Sequence, residues 1–144
     1  MRRVVVTGIG TINSTGHNVK DSFKAVVDGV CGIDTITLFD ASEFSVKIAG
    51  EVKDFDPTTV MDKKEVKKAD RFIQLGIKAA LEAMIDSGYV TQEDKKVDAS
   101  IADRFGMISG SGIGGLSTIE RNSIVCETKG SRKVSPFFIP SSLA

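Results

Sequence analysis

Asp70-Arg71-Phe72-Ile73-Gln74-Leu75-Gly76-Ile77-Lys78-Ala79-Ala80-Leu81-Glu82-Ala83-Met84-Ile85-Asp86-Ser87, closed by Gly88, is the stretch on which the reading of the fold turns. Its polar residues recur every four positions: Gln74, Lys78, Glu82, Asp86. Everything between is apolar or small. A single narrow polar stripe predicts a helix covered on most sides, as in an interior layer of a layered protein. Gly76, Ala79, Ala80 and Ala83 leave room for a neighbour to come close. Gly88 stands where a left-handed cap ends a helix.

Upstream, Val4-Val5-Val6-Thr7 is a β-branched run ending in Gly8-Ile9-Gly10. Unbroken apolar character predicts a strand over residues 3–7 buried on both faces. Residues 18–28 read as a helix, with Val19, Phe23, Val26 and Val27 at helical spacing and Gly29 at its end. Residues 32–44 read as loop, residues 45–52 as an alternating strand, and residues 58–68 as a partly helical basic segment. Lys63, Lys64, Lys67, Lys68 and Arg71 make a basic cluster, in which Lys64, Lys67, Lys68 and Arg71 would share one helix face by three- and four-residue spacing. Downstream, residues 91–102 are a polar surface helix or loop, and residues 105–109 a further strand. That strand runs into a glycine-rich loop, with a helix following over residues 116–127. Two prolines, Pro136 and Pro140, predict extended backbone over residues 135–140. Strands alternating with helices predict an α/β layered protein with a largely parallel or mixed sheet.

Composition narrows the function. Nineteen basic and nineteen acidic residues cancel, so no global field draws nucleic acid or a membrane surface, and an electrostatic partner must meet a local patch. No apolar run is long enough to span a bilayer, and the start of the chain lacks a secretory signal pattern. Cytoplasm is the expected compartment. Cys31 and Cys126 are too few for a disulfide framework and read as small buried or half-buried thiols. His17, the single histidine, cannot build a metal cluster with them.

Gly110, Gly112 and Gly115 satisfy the G-x-G-x-x-G spacing between a strand and a helix, the context of a dinucleotide fingerprint. Three features oppose that reading. The motif follows two earlier strand–helix units. The expected acidic residue should end a second strand, whereas Glu127 sits in a helix-like segment. Gly8 and Gly10 have Asn13 where a third glycine would stand. The structural alternative is that these glycines permit unusual backbone angles and close backbone approach.

Several segments together resemble the elongating β-ketoacyl-[acyl-carrier-protein] synthases of the type II kind. These are Arg2–Gly10, Ala49-Gly50-Glu51-Val52-Lys53-Asp54-Phe55, and Asp70-Arg71-Phe72-Ile73-Gln74. The most specific are Ser109-Gly110-Ser111-Gly112-Ile113-Gly114-Gly115-Leu116 and Arg132-Lys133-Val134-Ser135-Pro136-Phe137-Phe138-Ile139-Pro140. The resemblance runs in order through essentially the whole chain. It implies the N-terminal part of a thiolase-like α-β-α-β-α layered fold, residues 1–144 being an incomplete N-terminal synthase domain of a homodimeric enzyme. It also implies decarboxylative condensation, in which a cysteine thiolate takes an acyl group from the carrier protein and two histidines assist decarboxylation of the malonyl unit.

The family's nucleophile lies past the Ser-Pro-Phe-Phe segment, so no catalytic residue is expected in this chain. Neither Cys31 nor Cys126 sits in its motif. Asn13-Ser14-Thr15-Gly16-His17 departs from the family's Ser-Pro-hydrophobic-Gly loop. The resemblance makes Ile113 a gate across the acyl pocket, and Phe138 the aromatic residue that reaches over the dimer interface to line it. It makes Lys64, Lys67, Lys68, Arg132 and Lys133 the docking surface for acyl carrier protein. No metal and no resident cofactor is implied, since phosphopantetheine arrives on the carrier. From the residues alone, Ile113 and Phe138 could be ordinary packing residues and the lysines a solvated face. The competing functions are a catalytically silent partner subunit, a stand-alone docking piece, and a nucleotide-binding module.

Overall fold

Asn18 opens the first helix for a plain chemical reason. Its side-chain oxygen accepts the Asp21 N–H at 2.8 Å, supplying one of the partners that a helix start lacks. Helix α1 then runs Val19–Val27, and Gly29 follows with φ +70°. The computed structural model describes residues 2–143. Its contacts divide the chain into two units, one of residues 1–56 and 78–96, the other of residues 57–77 and 97–144.

The first unit holds α1, a two-stranded antiparallel ladder of β1 (Asp34–Thr35) and β2 (Ile48–Ala49), and the C-terminal half of the long helix α3 (Arg71–Asp86). The expected strand at residues 45–52 is present in its centre. Its partner lies inside the segment read as loop, because two residues show no periodicity. Residues 3–7 form no strand, and Val4 is 95% exposed. A strand exists through the ladder it joins. Among the described residues nothing pairs with this run, so its β-branched character alone makes no strand.

The helix α3 reverses its sequence reading on this side. The polar stripe receives the N-terminal segment, with Lys78 and Glu82 half-buried and Asp86 still exposed. Ile9 N–H donates to Asp86 Oδ2 at 3.0 Å, Thr11 N–H to Glu82 Oε2 at 3.1 Å, and Val19 N–H to Glu82 Oε1 at 2.8 Å. Lys78 lies 3.8 Å from the same Glu82 carboxylate. These carboxylates satisfy amides that have no ladder partner. Gly8 and Gly10 make the approach possible. A methyl group at Gly10 would meet Ala79 O at 2.0 Å, and one at Gly8 would meet Ala83 O at 2.2 Å. Ala79 and Ala83 therefore play the close-packing part expected of them. Gly76 has no atom within 4 Å of such a methyl. Ile77 and Ala80 remain exposed, so the apolar faces are the less covered ones here.

The second unit holds a 3-10 turn at Pro57–Thr59, helix α2 (Lys63–Val66), the first turns of α3, helix α4 (Ala99–Ala102), helix α5 (Leu116–Lys129), a 3-10 turn at Ser131–Lys133 and helix α6 (Phe138–Ser142). Residues 105–109 form no strand, and Met107 and Ile108 are exposed for the same lack of a described partner. The expected extended segment becomes helix α6. Pro140 is its third residue, and the first turn of a helix leaves its N–H groups unused, so proline costs no hydrogen bond there. Among the described residues no helix is long and apolar enough to cross a membrane. Both cysteines are exposed rather than buried. Cys126 is exposed on α5, not in a packed core.

Candidate functional site

Helix α5 is pinned along the first half of its inner face. Asp70, just before α3, places a carboxylate against its first turn, where Thr118 N–H donates to Oδ2 at 2.9 Å. The same carboxylate accepts the Arg71 N–H. Gly115 N–H donates to Ser142 O at 2.9 Å, and Gly114 takes φ +83° so that it can lie against that same carbonyl. Further along, buried Asn122 donates to Thr118 O at 2.8 Å and accepts Ser135 N–H at 3.0 Å. The α6 end is tied back as well: the Ser141 hydroxyl donates to Lys68 O.

These ties frame a cavity of about 560 Å³ in the second unit. Lys67, Lys68, Arg71, Arg121 and Lys133 all line it, together with Phe138. Its acidic member, Asp70, is engaged with backbone amides as above. The cavity is therefore strongly cationic, with an aromatic wall. Lys68 Nζ sits 5.6 Å from the centre of the Phe137 ring, a cation–π distance, and 2.9 Å from Glu65 Oε1.

The residues singled out in the sequence separate here. Lys67, Lys68, Lys133 and half-buried Phe138 share the cavity. Lys64 and Arg132 are exposed outside its lining. The basic segment is not one continuous helix face. Helix α2 ends at Val66, and a turn through Ala69 and Asp70 precedes α3. That turn, not a shared face, gathers Lys67, Lys68 and Arg71. Ile113 stands 70% exposed in the glycine loop. Sequence reasoning missed Arg121. The available signal was the set Ser117, Thr118, Arg121, Asn122 and Val125, which fall on one face of α5 by helical spacing.

The same geometry answers the dinucleotide reading. An anion at a helix N-terminus is what that fingerprint provides, and the first turn of α5 already holds one from within the chain, the Asp70 carboxylate.

The first unit has its own cavity of about 480 Å³, lined by Asn13, His17, Asp21, Cys31, Asp34 and Glu51 among others. Its polar groups are largely committed. Asn13 Oδ1 accepts both the amide and the hydroxyl of Thr15, at 2.8 and 2.7 Å. Glu51 accepts the Thr37 hydroxyl and amide, and these hydrogen bonds hold its carboxyl below the ordinary value. The Thr35 amide and then Lys53 do the same for Asp34. His17 meets the Phe55 ring edge-on at 6.1 Å. Among the described residues no group of three or more His, Cys, Asp or Glu is placed to hold a metal ion.

The comparisons with known proteins agree with one another. The family model for the N-terminal domain of β-ketoacyl synthases matches residues 1–144. The 3-oxoacyl-[acyl-carrier-protein] synthase 2 of Vibrio harveyi is 49% identical over 142 residues, covering 99% of this chain and 33% of the relative. The proteins of the same name from Coxiella burnetii and Staphylococcus aureus strain COL are each 44% identical, over 142 and 139 residues. The chain spans about a third of the length of these curated relatives. Among solved structures, the ishigamide ketosynthase/chain length factor superposes with a TM-score of 0.75 at 27% identity, covering 99% of this chain and 34% of that one.

Proposed function

The chain belongs to the β-ketoacyl synthase family, matching its N-terminal domain, and from that premise we propose that it forms part of a 3-oxoacyl-[acyl-carrier-protein] synthase 2 acting in fatty-acid elongation. The reaction is decarboxylative condensation of an enzyme-bound acyl group with malonyl-carrier protein. The thiol nucleophile and the histidines belong to the remaining two thirds of a family-length protein, which is a homodimer in the cytoplasm. No resident cofactor takes part, because the phosphopantetheine arm comes with the carrier protein. The observation that supports this reading best is the cavity that joins Lys67, Lys68 and Lys133 to Phe138. An acidic carrier would meet a cationic patch at the place where its acyl cargo meets aromatic surface.

Charge reversal tests it. In a synthase of the relatives' full length carrying these residues, Lys67→Glu with Lys68→Glu is expected to raise the KM for carrier substrates about tenfold. The salt dependence of that KM should flatten as well. A KM that does not move would count against docking here. The acyl-pocket part of the reading is tested separately. Ile113→Phe is expected to cut turnover of long acyl substrates about tenfold while sparing short ones, since added bulk at a gate excludes by length. Equal loss at every chain length would sink the gate.

A second reading has one observation behind it. The solved structure named above is of a ketosynthase/chain length factor, so a non-catalytic partner subunit with this fold is the alternative. The higher identity to the synthases, 44–49% against 27%, ranks it second. Thiol labelling of a family-length protein by an acyl-thioester analogue separates the two.

A further inference from the structure

We infer that Arg121, on helix α5, is a docking residue for a carboxylate or phosphate of the acidic carrier protein, an inference that rests on the docking reading above. The cavity of the second unit carries five cationic side chains, two of which, Arg71 and Arg121, are guanidinium groups, and Arg121 is the one that lies outside the basic residues singled out in the sequence. They differ in availability. Arg71 is half-buried and donates to Gln74 Oε1 at 3.4 Å. Arg121 is exposed and, among the described residues, its side chain makes no hydrogen bond or ion pair. It is also the only charged residue among those of α5 that line the cavity.

Its mounting matters as much as its charge. Lys67 and Lys68 sit on a turn between two helices, and Lys68 already shares its charge with Glu65 and the Phe137 ring. Arg121 projects from a helix whose first turn is held by Asp70 and whose next residue, Asn122, is buried and bonded on both sides. A fixed base lowers the ordering cost of a contact. A guanidinium also grips a carboxylate or phosphate with two parallel N–H groups, which an ammonium does not. The cationic lining thus combines a guanidinium carried on helix α5 with ammonium groups carried on the α2–α3 turn.

The test compares dissociation constants of purified acyl carrier protein, by fluorescence anisotropy at two salt concentrations, for a family-length synthase carrying these residues. Arg121→Glu is expected to weaken binding about tenfold and to lower the salt slope. Arg121→Lys should recover only part of the loss, because charge returns without the fork. Lys67→Glu runs alongside. If Lys67→Glu weakens binding and Arg121→Glu does not, the inference is overturned while carrier docking stands. If neither changes binding, docking at this cavity falls, and the inference falls with it. Full recovery by Arg121→Lys would overturn the bidentate contact and leave a plain charge. Arg121→Gln, which keeps an exposed polar side chain, checks that any loss seen with glutamate is not a folding defect: it should weaken binding less than glutamate and leave far-UV circular dichroism unchanged.

Discussion

Alanine in place of Gly10 is expected to lower the unfolding free energy by about 3 kcal/mol or more, at the upper end of overpacking costs. The added methyl would stand 2.0 Å from Ala79 O and 2.7 Å from Ala83 N. Both atoms are helix backbone and cannot swing aside. Either the N-terminal segment lifts from α3 or the helix bends. Lifting has a further cost. Gly10 lies between two anchored amides, Ile9 on Asp86 and Thr11 on Glu82. A shift of an ångström breaks both bonds and leaves carboxylates without their donors. Gly76→Ala in the same helix is the control and carries the opposite sign. Nothing lies within 4 Å of a methyl there, so removing a mid-helix glycine should stabilise by about 0.5–1 kcal/mol. Urea unfolding of the two variants beside the parent reads both. A Gly10→Ala midpoint equal to the parent's would mean the N-terminal segment does not rest on α3.

Why some of this was legible and some was not follows from the range of the physics involved. Helices α1, α3 and α5 were readable because their signals are local. Apolar spacing at three and four residues, and glycines at 29, 88 and 115, act within a turn or two of where they stand. The strands expected at residues 3–7 and 105–109 were misread because pairing is non-local. Val4-Val5-Val6 and Met107-Ile108 have the composition of strands, but a ladder needs a second chain segment that composition does not name. The stripe on α3 is legible, whereas what lies against it is not. Periodicity reports that Gln74, Lys78, Glu82 and Asp86 share a face, and says nothing about whether water or amide groups lie beyond it. Gln74 is the buried residue of that helix, donating to Val66 O and Ala69 O.

The site shows the same division. Motif resemblance names Lys67, Lys68, Lys133 and Phe138 but gives the lysines and the phenylalanine separate parts; that they line one cavity, although more than sixty positions separate Lys68 from Lys133, is set by the fold. Lys64 and Arg132 came with the same motifs, yet the turn between α2 and α3 leaves Lys64 outside the cavity. Arg121 lies in no motif. Only the register of α5 against α6 and the 131–135 segment brings it to the rim, and that register is set by Asn122 and Gly115, whose partners are distant in sequence.

Asp70→Ala is the variant that tests how that register is held, with an expected loss of about 3 kcal/mol. The carboxylate accepts the Thr118 amide at 2.9 Å and the Arg71 amide beside it. It thereby serves the N-termini of α5 and α3 at once. Hydrogen bonds to a charged group contribute about 1.5–3 kcal/mol each, and a negative charge at a helix start adds about 0.3–1 kcal/mol. Water entering the gap recovers part of that sum. Asp70→Asn keeps an acceptor and loses the charge, so about half the effect is expected. Gly115 also packs on the Asp70 side chain, which ties the glycine loop bearing Ile113 to this one residue. Removing it should loosen that loop as well as lower stability. Amide exchange at Thr118 and Gly115, both hydrogen-bonded amides, should then quicken by more than the global loss alone would cause, because the opening is local. If exchange at both sites rose only in step with global unfolding, Asp70 would be an ordinary stabilising residue. If stability changed by less than about 0.5 kcal/mol, as for a typical surface substitution, α5 would be held by its packing against α6 instead.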